Sequence, residues 1–299
     1  MSRRHLAMLL VLAGLWGASF MFIKIGDREL HPITLVGFRM ALGALTLVPI
    51  VLATVGASRA LRELRVAARP LIVTGLFNSA IPILAITWAE TRIDSGLTAI
   101  IQASAPLFTA LLALRFSHDE RVRGSRLVGL VVGFAGVALL VGGRPSGQLP
   151  AALAVVFSAV CYAATGLYAG RRLRGISPLV TALGTLTAAT LATLPIGLFQ
   201  LPGHMTSWKV TASVLTLGIA GTGLAYILYY GLISGAGASR AILITYLVPT
   251  FAVVYGAVLL GEPVTAAAIG GLALVLAGVG LGTGAVRLGR PRRLASTET

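Results

Sequence analysis

Ten apolar stretches of about twenty residues, separated by short polar links, govern what this chain can become. At a rise of about 1.5 Å per residue, each is long enough as a helix to reach across a hydrocarbon layer of about 30 Å. The stretches lie near 6–25, 32–54, 70–90, 95–115, 126–142, 150–169, 178–200, 211–233, 239–260 and 265–286. They cannot all be hidden inside a water-soluble globule. Charged residues make up 11% of the chain, where a soluble domain carries roughly a quarter. The expected class is therefore an all-α, polytopic membrane protein of ten transmembrane helices, with the lipid bilayer as its main partner. The links are too short to hold a soluble catalytic or ATPase domain.

The N-terminal Arg3-Arg4-His5 and the apolar run behind it imitate a signal peptide, but the run is long enough to span and more spans follow. A single cysteine, Cys161, argues against an internal disulfide and against a cysteine-based metal site.

A net charge of +15 points first to nucleic acid, yet the placement of the basic residues argues for topology instead. With ten spans, one side of the membrane receives 18 Lys and Arg, in clusters such as Arg59–Arg69, Arg115–Arg126 and Arg171–Arg174. The other side receives five: Lys24, Arg28, Arg92, Arg144 and Lys209. Arg39 lies inside a span. This bias puts both termini in the cytoplasm. No soluble basic surface is left for a nucleic acid.

The chain also repeats itself. Gly96–Phe116 and Ser239–Leu259 align so that Pro106 and Phe108 fall on Pro249 and Phe251. Ala135-Gly136-Val137 then falls near Ala277-Gly278-Val279, and Glu120 on Glu262. Two halves, 1–145 and 146–299, would hold five spans each. An odd number per half inverts the second relative to the first, an arrangement that places a substrate site at mid-membrane between the halves.

Candidate site residues follow from that geometry. A proline inside a helix frees the carbonyl four residues earlier, and in lipid that carbonyl must be satisfied by protein or water. Pro106 and Pro249 free the carbonyls of Gln102 and Thr245; Pro82 frees that of Asn78. All three prolines are expected to kink their helices. Trp16, Tyr162, Tyr226 and Tyr246 sit too deep for the interfacial belt, and with Asn78, Gln102 and Thr245 they are expected to line a cavity. Phe20 reads as packing. Two charges inside or beside spans have a possible role. Lys24 would snorkel or meet a substrate carboxylate. Arg39 would snorkel or pair with Glu90 or Asp94. No carboxylate is expected near mid-membrane, which favours substrates of zero net charge over drug cations.

There is no phosphate-binding G-x-x-x-x-G-K-[ST] and no paired His/carboxylate cluster. No catalytic residue, cofactor or metal is expected. The many glycines lie within spans at close-packing spacing.

Leu15-Trp16-Gly17-Ala18-Ser19-Phe20, then Lys24, Gly26, Pro32 and Arg39, resemble the opening of EamA-type transporters of the drug/metabolite transporter (DMT) superfamily. Ala105-Pro106-Leu107-Phe108 with Asp119-Glu120-Arg121, and Val248-Pro249-Thr250-Phe251 with Gly261-Glu262-Pro263, resemble the ends of its two repeats. The chain departs from the pattern at Cys161-Tyr162, where a second Trp-Gly would stand. The resemblance implies ten helices, an inverted repeat, a bacterial inner-membrane location and export by alternating access, with aromatic amino-acid exporters as the preferred analogue. A broader drug or metabolite efflux carrier, and a non-transporting membrane sensor or assembly protein, are the alternatives.

Overall fold

The computed structural model describes residues 2–116, 125–142, 147–241 and 243–282. Among them the chain is helical throughout. Its helices are α1 (Arg3–Gly26), α2 (Pro32–Thr54), α3 (Ala57–Val66), α4 (Ala68–Thr74), α5 (Ile81–Glu90), α6 (Ser95–Gln102), α7 (Ala105–Phe116) and α8 (Ser125–Gly142). There follow α9 (Leu149–Arg172), α10 (Pro178–Leu198), α11 (Trp208–Gly218), α12 (Ala225–Ala236), α13 (Ala238–Ala241), α14 (Ile244–Leu260) and α15 (Ala266–Gly282). Seven helical segments among the described residues are long and apolar enough to cross a membrane, and three shorter apolar helices, Leu127–Gly142, Ile244–Leu260 and Ala266–Gly282, accompany them.

The up-and-down order gives the bundle two ends. One, the basic end, carries Arg59, Arg62 and Arg65 on α3, Arg171 and Arg172 at the end of α9, and Arg174 just beyond it. The opposite end carries the turns Asp27–His31, Thr91–Asp94 and Gly261–Thr265. Helix α3 was not expected. It is a short amphipathic segment that buries Ala60 and Glu63 and leaves its arginines facing out. The Glu63 carboxylate accepts from Arg59 Nε at 2.7 Å and from the Ser177 amide at 2.8 Å, which ties α3 to the start of α10.

Small residues set the close crossings. In α8 and α15, a Cβ on Gly129, Gly136 or Gly278 would run into the backbone or Cβ of the facing helix. The sequence expectation of glycine-mediated packing holds there, since dispersion contacts at short range are what bring helices together in lipid.

Two helices change pitch in mid-course. Gly75–Ala80, between α4 and α5, and Ile219–Leu224, between α11 and α12, are π-helical. They begin 144 residues apart, close to the 143 that separate Pro106 from Pro249. Pro82 accounts for the first, because it removes the amide that Asn78 would need for a regular turn. Backbone carbonyls there find side-chain donors: Phe77 O accepts from Thr165 Oγ1 of α9 at 3.0 Å, and Leu217 O, in α11 just before the second segment, accepts from Thr222 Oγ1 at 2.8 Å.

The three prolines act differently from one another. Before Pro106 the helix is interrupted between Gln102 and Ala105. Pro82 follows a π-helical segment. Pro249 lies inside α14, which runs on as one helix.

Candidate functional site

A cavity of about 390 Å³ lies in the middle of the bundle. Small-molecule sites span about 300–1,000 Å³. Its wall draws on residues before and after the 143–148 link. From α1 come Trp16, Ser19, Phe20 and Ile23, and from α2 Arg39 and Met40. Asn78 and Ser79 come from the first π-helical segment, Gly221 and Thr222 from the second. Both pitch changes therefore border the same space. π-Helical bulges recur at functional sites because the extra residue leaves backbone groups and side chains out of the regular pattern.

Five of the seven expected cavity residues, Trp16, Asn78, Gln102, Tyr162 and Tyr226, line this space. Thr245 and Tyr246 do not. Both lie on α14, and Tyr246 packs with the cluster of Ala89, Ile93 and Leu97. Phe20, read as packing, is a wall residue.

Tyr229 is the clearest omission from the sequence reading. Its ring lies 5.3 Å from that of Trp16 and 5.5 Å from that of Tyr230, which stacks on Tyr226 at 6.0 Å. The run Tyr226, Tyr229, Tyr230 has the i, i+3, i+4 spacing of one helix face, a signal present in the sequence. Gln102 supplies a polar atom to the same wall: its Oε1 is buried without a protein hydrogen-bond donor.

Arg39 brings the charge. It is 8% exposed and faces the cavity, not the surface. Its Nε donates to Thr222 Oγ1 at 3.0 Å, and Thr222 in turn donates to Leu217 O. The guanidinium is thus fixed by the second pitch change. Snorkelling is not its arrangement. Lys24 is likewise not a mouth residue. Its Nζ donates to the backbone carbonyls of Glu90 and, at 2.8 Å, Ile93, binding α1 to the α5–α6 turn.

Around this turn the opposite end is stitched together by carboxylates. Gly261 ends α14 in the left-handed conformation (φ 70°), a position that suits glycine. Glu262 then accepts from Ser95 N at 2.9 Å, Ser95 Oγ at 2.8 Å and Gly96 N at 3.1 Å, capping α6 from outside its own helix. Glu29 accepts from the Ser207 amide at 2.7 Å and holds the start of α11; the Ser207 side chain and, after it, that amide keep the Glu29 carboxyl below the usual range. Among the described residues, no group of three His, Cys, Asp or Glu side chains is placed to hold a metal ion.

The profile of the EamA-like transporter family matches this sequence twice, over residues 4–142 and 149–283. The chain belongs to the EamA-like transporter family. It is a multi-pass membrane protein and a transporter by kinship. It is 29% identical to a "Probable terminal-alkyne amino-acid exporter" of Streptantibioticus cattleyicolor, over 94% of this chain and 93% of that one. It is 26% identical to a "Probable amino-acid metabolite efflux pump" of Salmonella typhimurium, over 99% and 100%. A solved crystal structure shares its fold at a TM-score of 0.67 and 20% identity, covering 94% of this chain and 98% of the other.

Proposed function

We propose that this EamA-like protein is a secondary exporter of amino acids or similar small zwitterionic metabolites, aromatic ones foremost, working by alternating access through the central cavity. The carrying observation is one buried cation, Arg39, set in a wall whose other side chains are aromatic, aliphatic or neutral polar. A substrate carboxylate matches the guanidinium fork. The faces of Trp16, Tyr226 and Tyr229 suit an apolar or aromatic side chain, and the neutral amide of Gln102 suits an ammonium group.

The scaffold in this proposal is ten spans in two inverted halves, 1–145 and 146–299, in a bacterial inner membrane, with the basic end and both termini cytoplasmic. Three observations support it. The family profile matches once per half. The two π-helical segments recur near the repeat offset. A relative from Escherichia coli, 26% identical over 83% of this chain, is named as an "inner membrane transporter".

Counterflow of labelled amino acids into liposomes holding the purified protein tests the reading. Accumulation above that of empty liposomes is expected, strongest for aromatic substrates and reduced at least tenfold in Arg39→Ala, the order expected for one lost charged contact. Uptake no greater than in empty liposomes across the common amino acids overturns it. A water-soluble thiol reagent adds a check against a dry, non-transporting bundle: Gln102→Cys is expected to react in the membrane.

A further inference from the structure

One helical turn beyond the cavity, toward the opposite end, lies a group of charges that substrate binding does not use. Ile23 of α1 and Ile86 of α5 are wall residues; the next turns of the same helices carry Lys24 and Asp27, and Glu90. Glu90 is fully buried, at 0% exposure, and neither of its carboxylate oxygens has a protein hydrogen-bond donor. The two oxygens of Asp27 are also buried and without a donor. These are unusual conditions. A lone carboxylate out of water costs several kcal/mol even after relaxation, and the usual remedy is two or three N–H groups, as Glu262 has nearby.

The charges facing Glu90 can be named. They are Lys24 and Asp27 from the end of α1, Arg39 from α2, and Glu262 from the turn after α14. Asp94 belongs to the adjoining turn. Lys24 directs its N–H bonds at two backbone carbonyls, so it offsets part of one negative charge and gives neither carboxylate a hydrogen bond. Glu262 has its own hydrogen bonds from the donors at the start of α6, and its charge adds to the negative field at Glu90. Lys24 and Arg39 then face Asp27 and Glu90, and when a substrate carboxylate occupies Arg39, one ammonium is left opposite two acids. Two buried carboxyls that feel each other's charge under those conditions resist ionising together, so the pair favours taking up one proton.

We propose that Asp27 and Glu90 form a binding site for one exchangeable proton, linked through Arg39 to the substrate, and that this proton is the coupling ion of transport. Protonation converts a carboxylate to a carboxylic acid and needs no other reactant. Neutralising Arg39 with an anionic group raises the proton affinity of the pair, so each ligand changes the affinity for the other by the same factor. Asp27, which lies just outside the span, is already pushed up to about 8 by burial, against an opposing pull from Lys24.

The coupling part of this proposal rests on the transporter reading, whereas proton binding does not, and the two are separable. Infrared difference spectra of the full chain in liposomes, recorded between mildly acid and alkaline buffer, are expected to show a protonated-carboxyl C=O band that disappears on the alkaline side. Glu90→Gln and Asp27→Asn should each abolish or shift it. Absence of the band in the wild type, or its persistence unchanged in both variants, overturns the site. In the second arm, an imposed pH gradient should drive labelled amino acid uphill in the wild type, and that response should be lost in Glu90→Gln. Wild-type transport indifferent to the gradient overturns the coupling. No counterflow at all defeats the transporter reading and leaves the infrared result to decide the proton site.

Discussion

Glu262 and Glu90 lie at the same end of the bundle, close enough to feel each other's charge, yet the fold treats them in opposite ways. Glu262 meets three donors and closes the gap between the turn after α14 and the start of α6. Glu90 is more deeply buried and meets none. Burial alone therefore says little about what a carboxylate does in such a bundle. A satisfied one is a fastener, and an unsatisfied one is a group whose charge has to be able to change.

Truncating the fastener gives the largest expected effect. Glu262→Ala leaves the amides of Ser95 and Gly96 and the Ser95 hydroxyl without their acceptor and should cost about 2–4 kcal/mol, read as a fall in melting temperature in detergent. Asp27→Asn should act in the other direction. An acid whose proton affinity is raised by folding loses stability as pH climbs from its ordinary value of 3.8 toward about 8. The variant is thus expected to be more stable than the wild type at neutral pH by roughly 1–3 kcal/mol, with the gain vanishing near pH 4. A pH series of melting curves checks the sign.

Glu90→Gln sharpens the contrast further. If Glu90 is held protonated, the amide replaces it with a change of less than about 1 kcal/mol at neutral pH; a loss as large as that of Glu262→Ala would erase the distinction between the two residues. The smallest effect is expected at Glu29. Its bond to Ser207 is strongest when ionised, so its contribution is present above 4.5 and fades as pH falls below that value. Glu29→Gln should flatten the acid side of the melting curve and leave the neutral side nearly unchanged.

The apolar blocks announced the helices because a membrane leaves the backbone few alternatives. What they did not announce is rotation about each helix axis. Helix α14 is apolar nearly all round, so no stripe marks its inward face, and Thr245 and Tyr246 were assigned to a cavity they do not reach. Tyr226, by contrast, sits in a run whose spacing fixes a face, and Tyr229 follows from the same run. Asn78 and Gln102 were found through the prolines near them, since a missing amide leaves a physical trace in the sequence. Glu90 left none: at the edge of an apolar block, a carboxylate that meets water and one that turns inward read alike. Helix α3 was hidden for a related reason, since its three arginines in a link read as a topology signal before they read as the exposed side of a helix.

The pitch change at Gly75–Ala80 lies upstream of Glu90 on the same continuous rod. A wide turn takes up one extra residue within itself, so excising one there would restore ordinary winding and leave Glu90 turned to the interior. What would change is the wall at Asn78 and Ser79, whose groups the wide turn sets out of the regular pattern. A one-codon deletion in that short segment is thus a more selective genetic probe than a conventional point substitution: it keeps the span and its buried acid and removes only the local widening.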